Sequence, residues 1–566
     1  MILERLHDFH ERIEDELIPS YHKEQSCRWI LELDENGGFL GFTETGQTKR
    51  SATDFVAPYR RRSGRTPPPY LIVDKPAYVL GHPRNEKEKW KKKAAQRHEN
   101  YKALMQECIE AVDHPALDAF QRFLNSHVDD ALADPAPEDM KKGDLIIPRV
   151  DGILLTRIPE VQQFWIERQD EEAAEKSTLT TECTVCGERR PVIRTEPVEL
   201  TLGPDRVNVI TGNEKAFLSH GLEQSEISPV CQPCARSYGE ALRYLLEKDR
   251  HHLRLGDVTW VYWTDREADF DPMTSIAEAN PRDVETLLEA PYGASKPGTL
   301  ESARFYAAAL TSNISRLAVR SWVTATVEEV QQNVGAYFKR MRLVGRDGPR
   351  YYGLYALAGS TVRELDDLPP QTNETLLTHA LTGGRLPKSL MHQAIRRARV
   401  EGGVTHPRAA LLKLILLSNQ PDNADPMVDE SLSPNHDNPA YHCGRLLAVL
   451  ENIQREAINP NTTLVDRYYG TASTAPASVF GNLMRNAQSH LSKLRRDSEK
   501  GGLGVYFQKQ LGEIMSELDE LGGFPNTLSA QDQALFALGY YQQRHRTGES
   551  SSDDSSEPTE PAEATA

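Results

Sequence analysis

Two Cys-x-x-Cys pairs separated by 44 residues limit what the middle of this chain can fold into. The first pair is Cys183 and Cys186 in TECTVCGERR, and the second is Cys231 and Cys234 in SPVCQPCARS. Each turn presents two thiolates to one ion, and two turns complete a tetrahedral site with no open position, which is typical of structural zinc. The pattern therefore predicts a Zn²⁺ ion that holds the two turns together.

Other interpretations of the cysteines remain open at this point. A thioredoxin-like redox pair would stand at a strand-to-helix junction, which neither pair clearly shows, and four reduced cysteines can also be close by coincidence. The separation exceeds the roughly 15–20 residues of a compact zinc ribbon, which favours two knuckles joined by a β insertion. The other cysteines, Cys27, Cys108 and Cys443, are expected to be ordinary core residues.

The chain length predicts several domains, because 566 residues exceed what one hydrophobic core usually serves. We expect an α+β protein with a mixed N-terminal α/β domain, a zinc-binding β insertion, and a mostly helical half that ends in an antiparallel helical bundle. The expected segments are 1–180 (N-terminal), 181–265 (four-cysteine insertion), 266–425 (mainly helical), 426–546 (bundle) and 547–566 (disordered acidic tail). The boundary near 426 follows from the Pro/Asp/Asn-rich stretch 419–439.

Local patterns predict several elements. CRWILELDENGGFLGFTET (27–45) is typical of a hairpin around an Asn-Gly-Gly turn. We also expect a short apolar strand over Tyr70–Val73 and helices through 302–342, where Arg316 and Arg320 would lie one turn apart. Phe507, Leu511, Ile514, Leu518 and Leu521 recur on one helical face.

The net charge of −17 argues at first against nucleic-acid binding, but its distribution weakens that argument. The segments Lys49–Arg65 and Arg84–Lys102 each carry a local charge of +5, whereas the tail is acidic. Either basic run is also compatible with a solvated face. The chain has no apolar run near the roughly 18 residues that span a bilayer and no signal-peptide pattern at its start, so we expect a cytoplasmic protein.

The sequence lacks the motifs of several familiar enzyme classes: GxSxG, GxxxxGK[ST], GxGxxG and HExxH are all absent. The acidic pair Asp269 and Asp271 is better explained as a solvated loop than as a metal site. His7 and His10 fit a surface or interface role better than a ligand pair. We therefore expect a protein that is not an enzyme.

An arginine-rich loop is the candidate that bears most on function. Arginine forks suit phosphates and guanine edges, glycine permits close backbone approach, and the prolines that follow stiffen the loop. We predict DNA-binding residues in this loop and in the neighbouring basic runs: Lys49, Arg50, Arg60, Arg61, Arg62, Ser63, Arg65, Tyr70, Lys75, Lys91, Lys92 and Lys93. A mobile surface loop without function is the alternative.

Several long segments resemble the large subunit of the CRISPR type I-C Cascade complex. The most specific are PAYHCGRLLAVLENIQREA (439–457), DRYYGTASTAPASVFGNLMRNAQSHLSKL (466–494) and TSNISRLAVRSW (311–322). ILELDENGGFLG, VDKPAYVLG, FWIERQ, GDVTWVYW and RAALLKLILL follow in the order of that family. The resemblance extends over nearly the whole chain.

The resemblance implies a non-catalytic subunit of an RNA-guided DNA surveillance complex. Its N-terminal domain is expected to read the PAM and help open the target duplex, while guide pairing reads the rest. The bundle is expected to line the displaced single strand and so stabilise the R-loop, with Arg485, Lys493, Arg495 and Arg496 as candidate contacts. Tyr468 and Tyr469 could provide stacking surfaces, but such aromatic residues are more often part of the core. Arg316 and Arg320 fit nucleic acid or partner subunits equally well.

The same resemblance implies the partners. They are the backbone and guide-end subunits of Cascade, the guide RNA, PAM-bearing duplex DNA, the displaced strand and a recruited helicase-nuclease. An internal start, with Met427 as one candidate, would produce the bundle as a separate small subunit. Two alternatives from other classes remain: a metal-dependent nuclease of the same defence system and a zinc-ribbon DNA-binding regulator.

The chain departs from the family pattern in its arginine loop and its cysteines. The loop before VDKPAYVLG carries extra proline and arginine, so the PAM preference does not transfer. The zinc prediction rests on the cysteine spacing, since many relatives lack the full set of four. Alanine at Arg60, Arg61, Arg62 and Arg65 is expected to abolish target capture and leave complex assembly intact.

Overall fold

The computed structural model describes residues 2–48, 50–60, 62, 67–83, 85, 87–212, 214–218, 220–268, 270–282, 284–285, 303–345, 348–421 and 424–546. They form two compact units. Unit 1 contains Met1–Glu247 and Ser312–Ala318, and unit 2 contains Lys248–Thr311 and Val319–Ala566. The finer division into five segments remains a prediction.

Unit 1 combines helices with several small sheets. Its α-helices are α1 (Ile2–Ile13), α2 (Pro76–Val79), α3 (Glu88–Ala111), α4 (Pro115–Ser126), α5 (Val128–Ala133), α6 (Ala136–Asp139), α7 (Pro159–Glu175) and α8 (Gln232–Glu247). Its strands are β1 (His22–Cys27), β2 (Trp29–Leu33), β3 (Phe39–Glu44), β4 (Thr53–Pro58), β5 (Ile146–Val150), β6 (Ile153–Leu154), β7 (Thr180–Glu182), β8 (Arg189–Pro191), β9 (Leu200–Leu202) and β10 (Asp205–Val207).

The largest sheet of unit 1 has the strand order β3-β2-β5-β6, with β2 and β5 parallel and the other pairs antiparallel. The predicted hairpin is confirmed as β2 and β3. At its turn Gly37 has φ +88°, and a Cβ atom there would lie 2.2 Å from the carbonyl oxygen of Ala119, so only glycine fits. The sheet packs on α3, α4 and α7 around a core that includes Leu31, Phe120 and Trp165.

The predicted strand over Tyr70–Val73 is wrong. Ile72 has φ +63°, which an extended strand cannot accommodate, and the segment makes only an isolated bridge between Asp74 and Ile146. The side chain of Tyr101 reaches into the bend and donates its hydroxyl to the Ile72 carbonyl at 2.6 Å. Burial of this irregular segment, rather than strand pairing, accounts for its apolar residues.

Unit 2 is mainly helical. Its α-helices are α9 (Pro272–Glu278), α10 (Val327–Met341), α11 (Leu354–Gly359), α12 (Pro370–Thr382), α13 (Lys388–Glu401), α14 (His406–Ser418), α15 (Pro439–Ile458), α16 (Leu464–Ala472), α17 (Phe480–Arg496), α18 (Gly501–Glu520) and α19 (Ala530–Arg544). The remaining strands are β11 (His252–Leu255), β12 (Val258–Thr264), β13 (Arg304–Asn313), β14 (Arg316–Thr326), β15 (Leu343–Gly345) and β16 (Gly348–Arg350).

The prediction of helix through 302–342 is wrong for its first half. Strands β13 and β14 join β11 and β12 in one four-stranded sheet, and only Val327–Met341 is helical. Strand β13 is buried on both faces, so its apolar residues form a continuous run that resembles a buried helix in sequence. Ile314 and Ser315, both with positive φ, form the turn between the two strands.

The C-terminal helices pack closely, and the predicted apolar face of α18 is confirmed for Phe507, Leu511, Ile514 and Leu518, which are buried. Helices α15 and α19 approach through Gly444 and Gly539. A Cβ atom on either glycine would lie about 2 Å from a carbonyl oxygen of the other helix. Helices on both sides of residues 419–439 share one hydrophobic core.

The helices and strands of the two units confirm the mixed α+β class with a helical C-terminal half.

Among the residues that the structure describes, none of the helices combines the length and the apolar character needed to cross a bilayer.

Candidate nucleic-acid interface

The arginine-rich segment follows strand β4 and is partly described. Lys49, Arg61, Ser63 and Arg65 lie outside the described residues. Arg60 donates from both Nη atoms to the carboxylate of Glu172 on α7, at 3.1 and 2.7 Å. Burial raises the pKa of Glu172, but the hydrogen bonds and charge of Arg60, together with Arg168, outweigh burial and leave that pKa lowered. The first arginine of the segment is therefore fixed to the body of unit 1.

The Arg62 side chain is less exposed than that of Arg60 and pairs with Asp74. Its two Nη atoms donate to the two carboxylate oxygens, with Nη1 2.9 Å from Oδ1. The Asp74 side chain is completely buried and also accepts from the backbone N–H groups of Tyr70 and Lys75 at 2.8 and 2.7 Å. Burial raises the pKa of Asp74, and Arg62 and these N–H groups oppose that rise. These contacts give Arg62 an anchoring role, whereas its predicted contact with DNA stays a prediction.

Aromatic rings enclose the Arg62 guanidinium on two sides. Its Cζ atom lies 3.2 Å from the ring centroid of Tyr70 and 4.9 Å from that of Tyr78. Arg97 on α3 covers Tyr78 at 5.4 Å, and Tyr59 packs against Tyr70 with ring centroids 5.7 Å apart. Cations over aromatic faces are attracted by the ring quadrupole. The result is a cluster of three tyrosine rings and two guanidinium groups at the root of the segment.

Sequence reasoning missed four members of this arrangement, namely Tyr59, Asp74, Tyr78 and Arg97. Asp74 and Tyr78 belong to VDKPAYVLG, a family segment in which only Lys75 was given a role. The signal that was available is Arg97, which stands four residues beyond the lysine run and so on the same helical face as Lys93.

The predicted lysines stand in the first turns of α3. Lys91 and Lys92 are exposed and Lys93 is half-buried, with its Nζ atom 5.1 Å from the ring centroid of Trp90. A helix N-terminus carries a partial positive charge, which adds to that of the lysines. Lys75 is half-buried at the start of α2, and Arg50 is exposed between β3 and β4. Solvent-accessible cations therefore lie on unit 1 near the arginine segment in sequence.

The second predicted basic group lies on α17 in unit 2. Arg485, Lys493, Arg495 and Arg496 are all exposed, and Arg495 donates to Gln508 at 3.2 Å. Positions 485, 493 and 496 repeat at helical spacing, so they share one face. This face has the exposed charge that a strand-guiding surface needs.

The two tyrosines of α16 have different environments. Tyr468 is 40% exposed and available for stacking. Tyr469 is buried against Phe536 and Tyr540, with ring centroids 5.7 and 5.6 Å away, so it is a core residue and offers no stacking surface.

Arg316 and Arg320 lie on strand β14 and not on a helix. In unit 1, the Cζ atom of Arg316 lies 3.9 Å from the ring centroid of Phe217. In unit 2, Arg320 donates from Nε to the Thr311 hydroxyl at 3.3 Å. Both side chains are thus engaged within the chain.

Of the carboxylate pair considered for metal, Asp269 lies outside the described residues. Asp271 caps α9, where its Oδ1 atom accepts from the backbone N–H groups of Met273 and Thr274 at 3.1 Å and from the Tyr262 hydroxyl at 3.0 Å. Its hydrogen-bonding capacity is used for structure.

The four cysteines predicted as ligands come together in unit 1. Cys183, Cys186, Cys231 and Cys234 have their sulfur atoms within 4.8 Å of one another, and the Cys186 and Cys231 sulfurs are 3.9 Å apart. Sulfurs around a tetrahedral zinc with Zn–S bonds of 2.3 Å would be about 3.8 Å apart. The thiol donor set and its dimensions therefore fit Zn²⁺.

Local backbone contacts shape the two cysteine turns. In the first, the N–H of Gly187, which has φ +74°, donates to the Cys183 carbonyl at 2.9 Å. The second turn opens helix α8, and the Cys231 N–H donates to the Cys183 sulfur at 3.3 Å. Such N–H donors fix the orientation of thiolate ligands. The turns are thus linked to each other by a hydrogen bond between ligand residues.

A family model described as CRISPR-associated protein (Cas_Csd1) matches residues 4–547, which is nearly the whole chain. No curated protein matches the sequence.

Proposed function

Because this chain belongs to the Cas_Csd1 family of CRISPR-associated proteins, we propose that it is the non-catalytic large subunit of a type I-C Cascade complex. In this role unit 1 binds the PAM-bearing duplex and helps to open it, and guide pairing reads the remaining sequence. The partners are the backbone and guide-end subunits, the guide RNA and a helicase-nuclease that acts on the completed R-loop. The site of action is the cytoplasm.

The observation that carries this proposal is the anchored arginine segment. Arg60 and Arg62 are fixed by carboxylates at the root of the segment, and Tyr70 and Tyr78 enclose Arg62. A segment anchored in this way loses less conformational entropy on binding. Arg61 and Arg65 are then the residues that contact DNA, while exposed Lys91 and Lys92 bind phosphates and fix the register.

The basic face of α17 serves the displaced strand. Arg485, Lys493, Arg495 and Arg496 attract the phosphates, and exposed Tyr468 provides a ring on which a base can stack. These contacts are independent of sequence, as an R-loop-stabilising surface requires.

We further propose that the cysteine cluster holds structural Zn²⁺. Cys183, Cys186, Cys231 and Cys234 would supply all four ligands, and the ion would stabilise the fold of this region without contacting DNA.

Affinity purification with RNA sequencing tests the assignment. The tagged chain, expressed from its native locus, is expected to copurify with the other Cascade subunits and with RNA whose sequences match a repeat array. Purified chain alone is expected to bind PAM-bearing duplex weakly. Tight duplex binding by the chain alone, without RNA, would support a DNA-binding regulator, and magnesium- or manganese-dependent cleavage by the chain alone would support a nuclease.

A further inference from the structure

Tyr21 connects the second cysteine turn to helix α7 through its hydroxyl group. The hydroxyl accepts a hydrogen bond from Gln232 Nε2 at 2.6 Å and donates to Asp170 Oδ1 at 2.8 Å. Gln232 directly follows Cys231 in the second Cys-x-x-Cys turn. The position of the Tyr21 ring therefore depends on the conformation of that turn.

The carbonyl oxygen of Tyr21 faces the arginine segment. It accepts from the Tyr59 N–H at 2.7 Å and from Trp165 Nε1 at 3.0 Å. Tyr21 has φ +55°, a conformation that non-glycine residues keep only when their surroundings fix it. Tyr21 thus contacts the second cysteine turn through its side chain. Through its carbonyl it contacts Tyr59, the residue that precedes Arg60.

Tyr59 in turn contacts Tyr70, which packs against Arg62. The Tyr59 ring packs on Tyr70 with the centroids 5.7 Å apart, and the Cζ atom of Arg62 lies 3.2 Å from the Tyr70 centroid. The second cysteine turn is connected to Arg62 by direct contacts through four residues: Gln232, Tyr21, Tyr59 and Tyr70. All of these residues belong to unit 1.

Helix α7 provides a second connection of the same kind. Asp170 pairs with Arg236 of α8, two residues beyond Cys234, and Glu172 pairs with Arg60. Asp170 is also the acceptor of the Tyr21 hydroxyl. A movement of the second cysteine turn would therefore change the Tyr21 hydroxyl contacts on both sides.

We propose that Tyr21 is a positioning residue that couples the four-cysteine site to the arginine segment. Loss of the metal then lowers affinity for target duplex although no cysteine contacts DNA. This inference rests on the proposed function of the arginine segment. Its chemical basis is that an ordered cysteine turn holds Gln232, Gln232 holds the Tyr21 ring, and Tyr21 holds Tyr59.

A double-mutant cycle in the assembled complex tests this coupling. The wild type and Tyr21→Phe are each compared with and without Cys186→Ser, which removes the one exposed cysteine of the cluster. Two quantities are measured: the dissociation constant for PAM-bearing duplex, and amide hydrogen exchange over residues 53–60 and 67–75 in the absence of DNA.

In the wild-type background Cys186→Ser is expected to weaken duplex binding on the order of tenfold and to accelerate exchange in both segments. In the Tyr21→Phe background the same substitution is expected to add less than about twofold, because the connection is already broken. Tyr244→Phe is the matched control: it removes a tyrosine–carboxylate hydrogen bond to Glu16 elsewhere in unit 1 and should retain the full effect of Cys186→Ser. If Tyr21→Phe does not fold, Gln232→Met removes the donor from the cysteine side and takes its place in the cycle.

An equal effect of Cys186→Ser in the wild-type and Tyr21→Phe backgrounds would overturn the role of Tyr21. Unchanged exchange in both segments after Cys186→Ser would overturn the coupling itself. If the wild-type complex does not bind PAM-bearing duplex, the proposed function fails, while the exchange data still decide whether the cysteine site and the arginine segment are coupled.

Discussion

Arg62 and Asp74 form a two-pronged ion pair in which the carboxylate is completely buried and the guanidinium lies between two tyrosine rings. The Nη1–Oδ1 distance is 2.9 Å, and the Cζ atom is 3.2 Å from the centroid of Tyr70. One of four arginines that look equivalent in sequence is therefore part of the interior. This pair fixes the start of the segment that we propose to bind DNA.

Arg62→Ala is expected to destabilise unit 1 by about 3–5 kcal/mol, because it leaves the Asp74 carboxylate buried without its partner. Arg60→Ala removes a more accessible pair with Glu172 and should cost about 1 kcal/mol or less. Native-state hydrogen exchange of the slowest amides in unit 1 measures both free energies. Equal losses for the two variants would contradict the anchoring role of Arg62.

Metal content tests the cysteine cluster. The purified chain is expected to contain one zinc per chain by elemental analysis, and Cys183→Ser should lose the metal and lower the stability of unit 1. Cys443→Ala removes a buried thiol outside the cluster and should retain the metal. Full metal content in Cys183→Ser would rule out the four-thiolate site.

Glu196 predicts a pH dependence for unit 1. Burial raises the pKa of this carboxyl to about 7, against the N–H of Ile210 and the hydroxyl of Tyr238, which favour its charged form. The folded-state pKa of Glu196 lies above the ordinary value of 4.5, so the folded state favours the protonated carboxyl. The contribution of this protonated group to the stability of unit 1 is complete below about pH 4.5 and is lost as the pH rises through about 7.

Between pH 5 and pH 8 ionisation of this group should therefore lower the stability of unit 1 by about 2.5 kcal/mol. Glu196→Gln cannot ionise and is expected to be the more stable form at pH 8, as measured by denaturant midpoints at both pH values. Glu199→Gln, at an exposed position, should keep the wild-type pH dependence. A parallel decline in the wild type and Glu196→Gln would show that another group is responsible.

The four-cysteine site could be predicted more fully from the sequence than the arginine segment. The cysteines were identified with all their partners, because ligand type and spacing carry the chemistry. The arginines were identified as a group, but burial separated Arg62 from the rest, and its partner Asp74 was not recognised. An ion pair between residues twelve positions apart, outside any helix or strand, has no periodicity to reveal it.

The fold shows the same limit. The hairpin at Gly37 was predictable because its turn requires glycine. The strand Arg304–Asn313 was mistaken for helix because burial on both faces removes the alternation by which strands are recognised. The bend at Ile72 depends on Tyr101, which lies far away in sequence.

The basic face of α17 predicts a salt-dependent contribution to R-loop stability. Replacing Arg485, Lys493 and Arg496 with alanine should accelerate loss of the displaced strand and lower the salt dependence by about 0.7 per lost phosphate contact. Strand protection measured across a salt series provides the readout. Arg363, Arg385 and Lys388, which are exposed elsewhere in unit 2, form a control triple-alanine variant of equal charge change. The same slope in both triple variants would exclude α17 as a strand contact.

Target capture by the assembled complex measures whether the arginine segment binds the PAM-bearing duplex. The test variant replaces Arg60, Arg61 and Arg65 with alanine and retains Arg62, so that the buried pair with Asp74 stays intact. The triple-alanine variant at Arg363, Arg385 and Lys388 is again the control. The test variant is expected to assemble normally but to bind PAM-bearing duplex at least about 100-fold more weakly, equivalent to about 2.7 kcal/mol, while the control binds like the wild type. Wild-type affinity in the test variant would contradict a DNA-binding role of the arginine segment.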